Sequence, residues 1–409
     1  MAKLKSKPYK LFNKIQNYDW GTKNGNAFIP SLLGVTPEND VPYAELWIGS
    51  HPKLPSEIEI DNKLYALNQI IEKYPLEFIG EDVALKYGFK LPFLLKALSA
   101  ARALSIQTHP DKQQAVKLHA VDPENYPDDN HKPEIAITID SLTAMAGFRP
   151  VKEIVANLKK NPELVEFAGK DLFDNILNES DEKILTGLIK TLYGKIMTEA
   201  SNAKKLAKVI ESITNRLSST TDLSFEDEQF LKQYALYGND VGLFSFFFFN
   251  IVKLKEGQAI FTGAGVPHAY IEGNIIECMA NSDNVIRAGL TNKFKDVDTL
   301  LGIMDYSFSE FTILNKEQKT GEVVYKTPAK EFEVIAFTKT KGFSKTIQTK
   351  NKPSVILVTS GSLEVHWKDG ETQYSENYKK GESFIIPAAL PEYSLTSNED
   401  TKFFLAEIP

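Results

Sequence analysis

Of 409 residues only one is a cysteine, Cys278. A single thiol excludes an internal disulfide and a zinc site built from thiolates, and it fits a reducing compartment, so a cytoplasmic location is expected. No run of about 18 apolar residues occurs, which excludes a spanning helix and gives no membrane partner to expect. The start, "MAKLKSKPYKLFNKIQ", is basic but has no apolar h-region, so it does not read as a secretory signal. A basic excess is missing too. Lys plus Arg number 47 against 54 Asp plus Glu, a net charge of −7; neutralising phosphates needs a basic face, so no nucleic-acid partner is expected, although local basic pockets stay open. No obligate protein partner is expected either.

What the chain does have is apolar material, 42% hydrophobic and 11% aromatic residues. Its length exceeds the roughly 250–300 residues at which single cores stop growing, so two or three domains are expected. Short strand-like runs fill the first 60 residues, among them "AELWIGS" at 44–50 and "SEIEI" at 56–60. "KLYALNQIIEKYPLEF" and "VALKYG" then read as short helices, "LPFLLKALSA" and "LSIQTH" as strands, "DKQQAVKLHAV" as a helix, and "KPEIAITI" at 132–139 as a strand. From Val151 to Tyr237 the period is helical: Ile184, Leu185, Leu188, Ile189, Leu192 and Ile196 recur at helical spacing, and Ser224 ahead of Asp227 predicts an N-cap. "LFSFFFF" at 243–249, the longest apolar burst, reads as a fully buried strand within "FSFFFFNIVKL". Runs such as "SVILVTS", "SLEVHW", "ESFIIP" and "KFFLAEI" make the rest β-rich, with a spacing that points to a sandwich or jelly roll.

An internal repeat supports this. "EGQAIFTGAGVPHAY" (256–270) aligns without a gap on "KGESFIIPAALPEYS" (380–394) at a constant offset of 124, matching Gly257 with Gly381, Ile260 with Phe384, Ala264 with Ala388 and Pro267 with Pro391. A glycine turn, a buried strand and a proline make one hairpin unit of a jelly roll, so two related β-domains are expected. Where the first copy has His268 the second has Glu392. A packing role common to both copies would not suit that exchange, which assigns His268 work confined to the first copy.

Partners for His268 lie in two other segments. In "SIQTHPDK" alternation puts Gln107 and His109 on one strand face with Thr108 on the other; in "HKPEIAITID" it puts Lys132 and Glu134 on one face and His131 on the other. Gln107, His109, Glu134 and His268 offer two imidazoles, a carboxylate and an amide oxygen. Such a set suits a borderline divalent ion, zinc foremost, with water or substrate at any open position. Read singly, each has a plainer role: His268 packed beside a proline turn, Gln107 a strand residue with its amide satisfied, Glu134 a solvated edge carboxylate. Spacing alone does not bring the three segments together. His51, His119 and His366 have no such company and read as structural or surface residues.

The same segments carry a resemblance. "ALSAARALSIQTHPDK", "HKPEIAI", "GVPHAYIEGNIIECMANSDNVIRAGLTNKFKDVDTL", "NYDWG" and "AELWIGSHP" closely resemble the type I phosphomannose isomerases, from Asn17 to Gly302, and the likeness is diffuse beyond Asp305. It implies a mainly β fold with an α-helical insert, built as two cupin-type jelly-roll β-domains plus a helical domain. The expected division is 1–150 with 240–305 as the catalytic domain, 151–239 as the helical domain, and 306–409 as a cupin-like domain without a metal site. The resemblance implies one zinc ion per chain on Gln107, His109, Glu134 and His268, and a catalytic arginine at Arg287. It further implies that Lys96, Ser105, Lys132, Tyr270, Glu277 and Lys293 line a sugar-phosphate pocket, with Asp19, Trp20 and Glu45 on motifs nearby. The implied reaction interconverts D-mannose 6-phosphate and D-fructose 6-phosphate through a cis-enediol.

That chemistry assigns roles. Removing the C2 proton builds negative charge on the carbonyl oxygen, which a divalent ion and a fixed guanidinium stabilise; Arg287, always charged, suits this and is a poor base. Glu277 is the first candidate for the base and Lys132 the second, either one needing a shifted pKa. Lys96, Ser105 and Lys293 are candidates for the phosphate, while Lys293 in "NKFKD" also reads as a solvated surface lysine. Alternation in "DNVIR" would put Asp283 on the strand face of Arg287, where a carboxylate could orient the guanidinium. Two rival classes use the same residues. One is an iron-dependent dioxygenase, marked by oxygen-dependent turnover; the other is a binding protein that holds mannose 6-phosphate unchanged.

Overall fold

The computed structural model describes residues 4–314 and 321–409; the first three residues of the basic start, and 315–320 within the expected third domain, lie outside the described residues. Sheet forms both ends of the chain and helices its middle. The largest sheet is antiparallel and runs in the order Phe249–Lys255, Glu134–Phe148, His268–Ala280, Phe93–Ala100, Glu45–Gly49, Lys14–Gln16. Ala259–Thr262 also pairs with Glu134–Phe148, and the short strand Ile106–Thr108 joins His268–Ala280 to Ile286–Gly289. Toward the carboxyl end, a six-stranded and a four-stranded sheet enclose Ile356, Leu363, Trp367, Phe384, Tyr393 and Phe403. No helix of the described residues is long and apolar enough to cross a membrane.

The two aligned segments take one backbone form. Gly257 and Gly381 both adopt left-handed φ, 76° and 85°, where a side chain would be strained. Two residues on, each is followed by a four-residue strand, Ala259–Thr262 and Ser383–Ile386, and new strands open at His268 and Glu392. The turn amides repeat as well: Gly257 donates to Thr138 O at 2.9 Å and Gly381 to Val358 O at 2.8 Å.

Helices from Val151–Lys160 to Phe225–Tyr237 fill the middle. Glu182–Glu199 buries Ile189, Leu192 and Ile196, while Ile184 in its first turn stays exposed. Ser224 and Asp227 form a reciprocal capping box at the start of Phe225–Tyr237. The helical core continues beneath the sheet, where Phe230 and Phe247 join one cluster with Ile271, Ile286, Ala288 and Leu290.

Three elements differ from the expectation. "LFSFFFF" is buried but mostly helical: a 3-10 turn Val241–Phe244 and one helical turn Ser245–Phe248 precede the strand at Phe249. A run apolar on every side carries no period, so burial does not separate strand from helix. Lys63–Ala66, read as helix, is a strand paired with Glu57–Ile60 across Asp61 and Asn62, both at positive φ. That two-residue turn suits a hairpin. Tyr9–Leu11, grouped by sequence with the first domain, pairs instead with Ser383–Ile386 at the edge of the six-stranded sheet.

Candidate active site

Strand alternation places Lys96, Glu277 and Arg287, whereas His109 lies one residue beyond the strand Ile106–Thr108. Ile286 and Ala288 enter the helical core, so Arg287 between them faces the other way. Leu95 and Ala97 enter another core cluster with Ile276 and Cys278, which turns Lys96 and Glu277 to the opposite face. Register then sets neighbours. Lys96 lies between Glu277 and Trp47, and Gln107 lies between His268 and Arg287. These faces open on a cleft of about 1020 Å³, lined by Trp20, Glu45, Lys96, Ser105, Gln107, Lys132, Glu134, Tyr270, Glu277, Asp283, Arg287 and Lys293. The three separate motifs meet here.

Beneath the cleft, His109, Glu134 and His268 are buried, with one potential ligand atom from each lying within 4.8 Å of the others. Glu134 Oε2 is 3.4 Å from His109 Nε2 and 3.1 Å from His268 Nε2, and Glu134 Oε1 is 3.0 Å from Lys132 Nζ. Both rings are oriented from behind: His109 Nδ1 donates to Asn284 O at 2.8 Å and His268 Nδ1 to Val266 O at 2.9 Å. With Nδ1 protonated, both Nε2 atoms present lone pairs toward a carboxylate oxygen, an arrangement that asks for a cation among them. His109 Nε2 has no hydrogen-bond partner in its buried position. Burial, chiefly, holds the His109 pKa down at about 4, so the ring is neutral and free to coordinate. Burial alone would raise Glu134, but the Lys132 ammonium leads the neighbours that outweigh it and hold the carboxyl well below its usual range. Two imidazole nitrogens and a carboxylate fit zinc, and Gln107, next in register to His268, can add its amide oxygen.

The floor and the mouth of the cleft differ in charge. On the floor Lys96 Nζ lies 3.1 Å from Glu277 and 3.6 Å from Glu45, and Trp47 Nε1 donates to Glu45 at 2.5 Å. Burial would depress Lys96, yet Glu45 and Glu277 keep it charged and raise its pKa. Glu277 also accepts the Tyr270 hydroxyl at 2.9 Å, and burial pushes its carboxyl upward against the pull of Lys96. At the mouth Lys293 is pushed down by burial and by the charges of Arg287 and Lys53. No ion pair ties Arg287, Lys293 or Lys53 among the described residues, so this end carries uncompensated positive charge.

Several expectations change on this geometry. Asp283 does not orient Arg287, because the strand begins at Ile286; its carboxylate lies 3.7 Å from His51 Nε2 and its amide donates to Asp128. Lys96, expected at the phosphate, already has two carboxylate partners. Asp19 stays at the cleft as expected, on its exposed edge, with its side chain 90% exposed and 3.9 Å from Arg102. Other residues escaped the sequence reading. Trp47 covers Lys96, with Nζ 5.1 Å from the ring, and the buried Asn284 holds His109 through a backbone carbonyl, which no side-chain pattern reveals. His51 is buried against Trp47 beside the cleft, whereas His119 and His366 bond Tyr126 O and Thr396 away from it.

An antiparallel sheet carrying a buried His–Glu–His cluster at a charged cleft is an arrangement that could hold a metal ion beside a substrate. Residues 9–151 match the family described as Phosphomannose isomerase type I, catalytic domain. The chain is 35% identical to mannose-6-phosphate isomerase of Candida albicans over 95% of both chains, and 38% identical to that of Ogataea parapolymorpha over 97% of this chain and 96% of the other. It belongs to the type I phosphomannose isomerase family. Among solved structures, an arginine-to-alanine mutant of phosphomannose isomerase from Salmonella typhimurium superposes with a TM-score of 0.83 at 28% identity, over 98% of this chain and 99% of that one. A zinc-bound mannose 6-phosphate isomerase superposes with a TM-score of 0.82 at the same identity and coverage.

Proposed function

We propose that the chain interconverts D-mannose 6-phosphate and D-fructose 6-phosphate through a cis-enediol in this cleft, with one zinc ion per chain held by Gln107, His109, Glu134 and His268. The observation that carries it is the convergence of two imidazole lone pairs on the buried Glu134, which lines one cleft with Arg287 and Glu277. When bound, zinc supplies a fixed positive charge toward the sugar oxygens. The chain's own residues do the rest. Glu277 takes the C2 proton and returns it to C1 while the hydroxyl proton passes from O2 to O1, so atoms balance and nothing leaves. Burial raises the pKa of this carboxyl, which makes its carboxylate a stronger base than one in water. Tyr270 and Lys96 hold its two oxygens. Arg287, half-buried and without a carboxylate partner among the described residues, directs its charge at the enediolate oxygen.

Lys132 neutralises Glu134 and is the second candidate for the base. For the phosphate dianion, the positive mouth with Lys293 and Lys53, together with Ser105, suits better than Lys96. Trp20, Glu45 and Asp283 shape the walls. The same reading takes the fold as two cupin-type jelly rolls with a helical domain, divided at 1–150 with 240–305, 151–239 and 306–409, except that 9–11 joins the last. Its support is the common backbone form of the two repeat segments.

The test is a coupled assay of fructose 6-phosphate formation from mannose 6-phosphate, before and after chelation and zinc restoration, with metal quantified on the same sample. Activity that leaves with the metal and returns with zinc is expected. A folded, zinc-loaded protein that leaves the sugar unchanged would turn the reading to a binding protein.

A further inference from the structure

We propose that Asp240 is a positioning residue that sets where Arg287 stands in the cleft; this rests on the catalytic reading of Arg287. The starting point is Leu290, whose φ of 52° is left-handed for a residue that is not glycine and whose surroundings must therefore hold it there. It directly follows the strand Ile286–Gly289 and begins the cleft-lining stretch that continues through Thr291, Asn292 and Lys293. Asp240 Oδ1 accepts the Leu290 amide at 2.6 Å and the Gly242 amide at 2.7 Å, and Asp240 Oδ2 lies 3.1 Å from Lys295 Nζ. One buried carboxylate thus ties the end of the helical region to both ends of the cleft-lining turn. The fit is close: a Cβ on Gly289 would come within 2.3 Å of Gly242 Cα, and one on Gly242 within 2.6 Å of Leu290 N, so neither glycine can carry a side chain there. Across the strand, Arg287 sits in register with Gln107, and the register shifts between Arg287 and Gly289. The bulge leaves pairing with Ile106–Thr108 insufficient to fix the strand end, and Asp240 supplies the missing constraint. Asp240 touches neither substrate nor metal ligand.

Asp240→Ala removes both acceptor bonds. Asp240→Asn combined with Lys295→Met restores them, because an amide oxygen accepts the Gly242 and Leu290 amides and no ammonium then faces the amide NH₂. With zinc bound and quantified, Asp240→Ala should lower kcat per zinc-loaded molecule on the order of 10²-fold, the scale of an ångström-sized misplacement. The double variant should recover to within a few-fold. Hydrogen exchange at the Leu290 amide is read alongside: protected in wild type and the double variant, unprotected in Asp240→Ala. Turnover and protection in Asp240→Ala close to wild type, or a double variant as poor as Asp240→Ala, would overturn the proposal. If Asp240→Ala does not fold, the double variant and the wild-type Leu290 protection decide it. An Arg287→Ala control separates the two readings: full turnover there sinks the catalytic role of Arg287, while the Leu290 exchange still judges the role of Asp240.

Discussion

His268 and Arg287 flank Gln107 on neighbouring strands yet are expected to fail differently when removed. His268→Ala should lose metal and turnover together, since one of the two lone pairs facing Glu134 disappears and only His109 and Lys132 remain beside the carboxylate. Arg287→Ala should keep its zinc and lose turnover on the order of 10²–10³-fold, the usual cost of one group that stabilises developing charge. Metal analysis paired with kinetics separates them, and a metal-free Arg287→Ala protein would undo the division of roles. His109 adds a pH dependence. Burial sets its folded pKa at about 4 against 6.5 for the unfolded ring, so as pH falls the unfolded chain binds the proton first. The stability contributed by the neutral ring is complete above 6.5 and lost as pH falls through about 4. Urea midpoints of the metal-free protein measured across that window should decline more steeply for wild type than for His109→Asn. Parallel declines would show that the ring is not held neutral.

The strand Ile286–Gly289 is where local sequence and tertiary structure meet most closely. Gly289→Ala would press a methyl group on the Gly242 backbone, an overpacking that costs roughly 1–3 kcal/mol. Its expected signature is a lowered denaturation midpoint together with reduced kcat at unchanged zinc content; unaltered kinetics would mean that Arg287 is held from its own end of the strand. At this scale the sequence was legible where a period was present. Alternation in "SIQTHPDK" paired Gln107 with His109 and in "KPEIAITI" Lys132 with Glu134, each pair on one strand face, and helical spacing marked the middle of the chain. It was not legible where the period vanished or where a turn intervened. "LFSFFFF" is apolar on all sides and coiled, the Asp61–Asn62 hairpin interrupted a helical reading, and the strand start at Ile286 separated Asp283 from Arg287. Contacts made by backbone carbonyls, such as Asn284 O on His109, left no trace in side-chain pattern.

For the molecule as a whole, the carboxyl-terminal sheets hold no residue of the metal cluster, yet the first sheet depends on them. One core cluster joins Leu46, Phe93 and Ile276 of the large sheet to Val355, Ile385 and Ala406 of the six-stranded one. Among the described residues Tyr9–Leu11 has its strand partner there. Ala388 and Ala389 donate to Phe78 O and Glu77 O, the Tyr325 hydroxyl donates to Gly257 O at 2.7 Å, and His131, three residues before Glu134, pairs with Glu331 at 2.9 Å. Deleting 310–409 would remove all of these while leaving Gln107, His109, Glu134 and His268 in the chain. Uncovering Leu46, Phe93 and Ile276 alone, at about 1.5–3 kcal/mol each, is comparable with a usual net stability of roughly 5–15 kcal/mol. The shortened chain should therefore aggregate or unfold at much lower urea, and its zinc should be lost through unfolding rather than through a missing ligand. Sedimentation and a urea titration with metal release followed in parallel test this. If the two transitions coincide, the carboxyl-terminal sheets act as a cover for the first core; if the shortened chain keeps the wild-type midpoint and its zinc, the large sheet and helices stand alone, and the contacts at Glu331 and Tyr325 are incidental to the site.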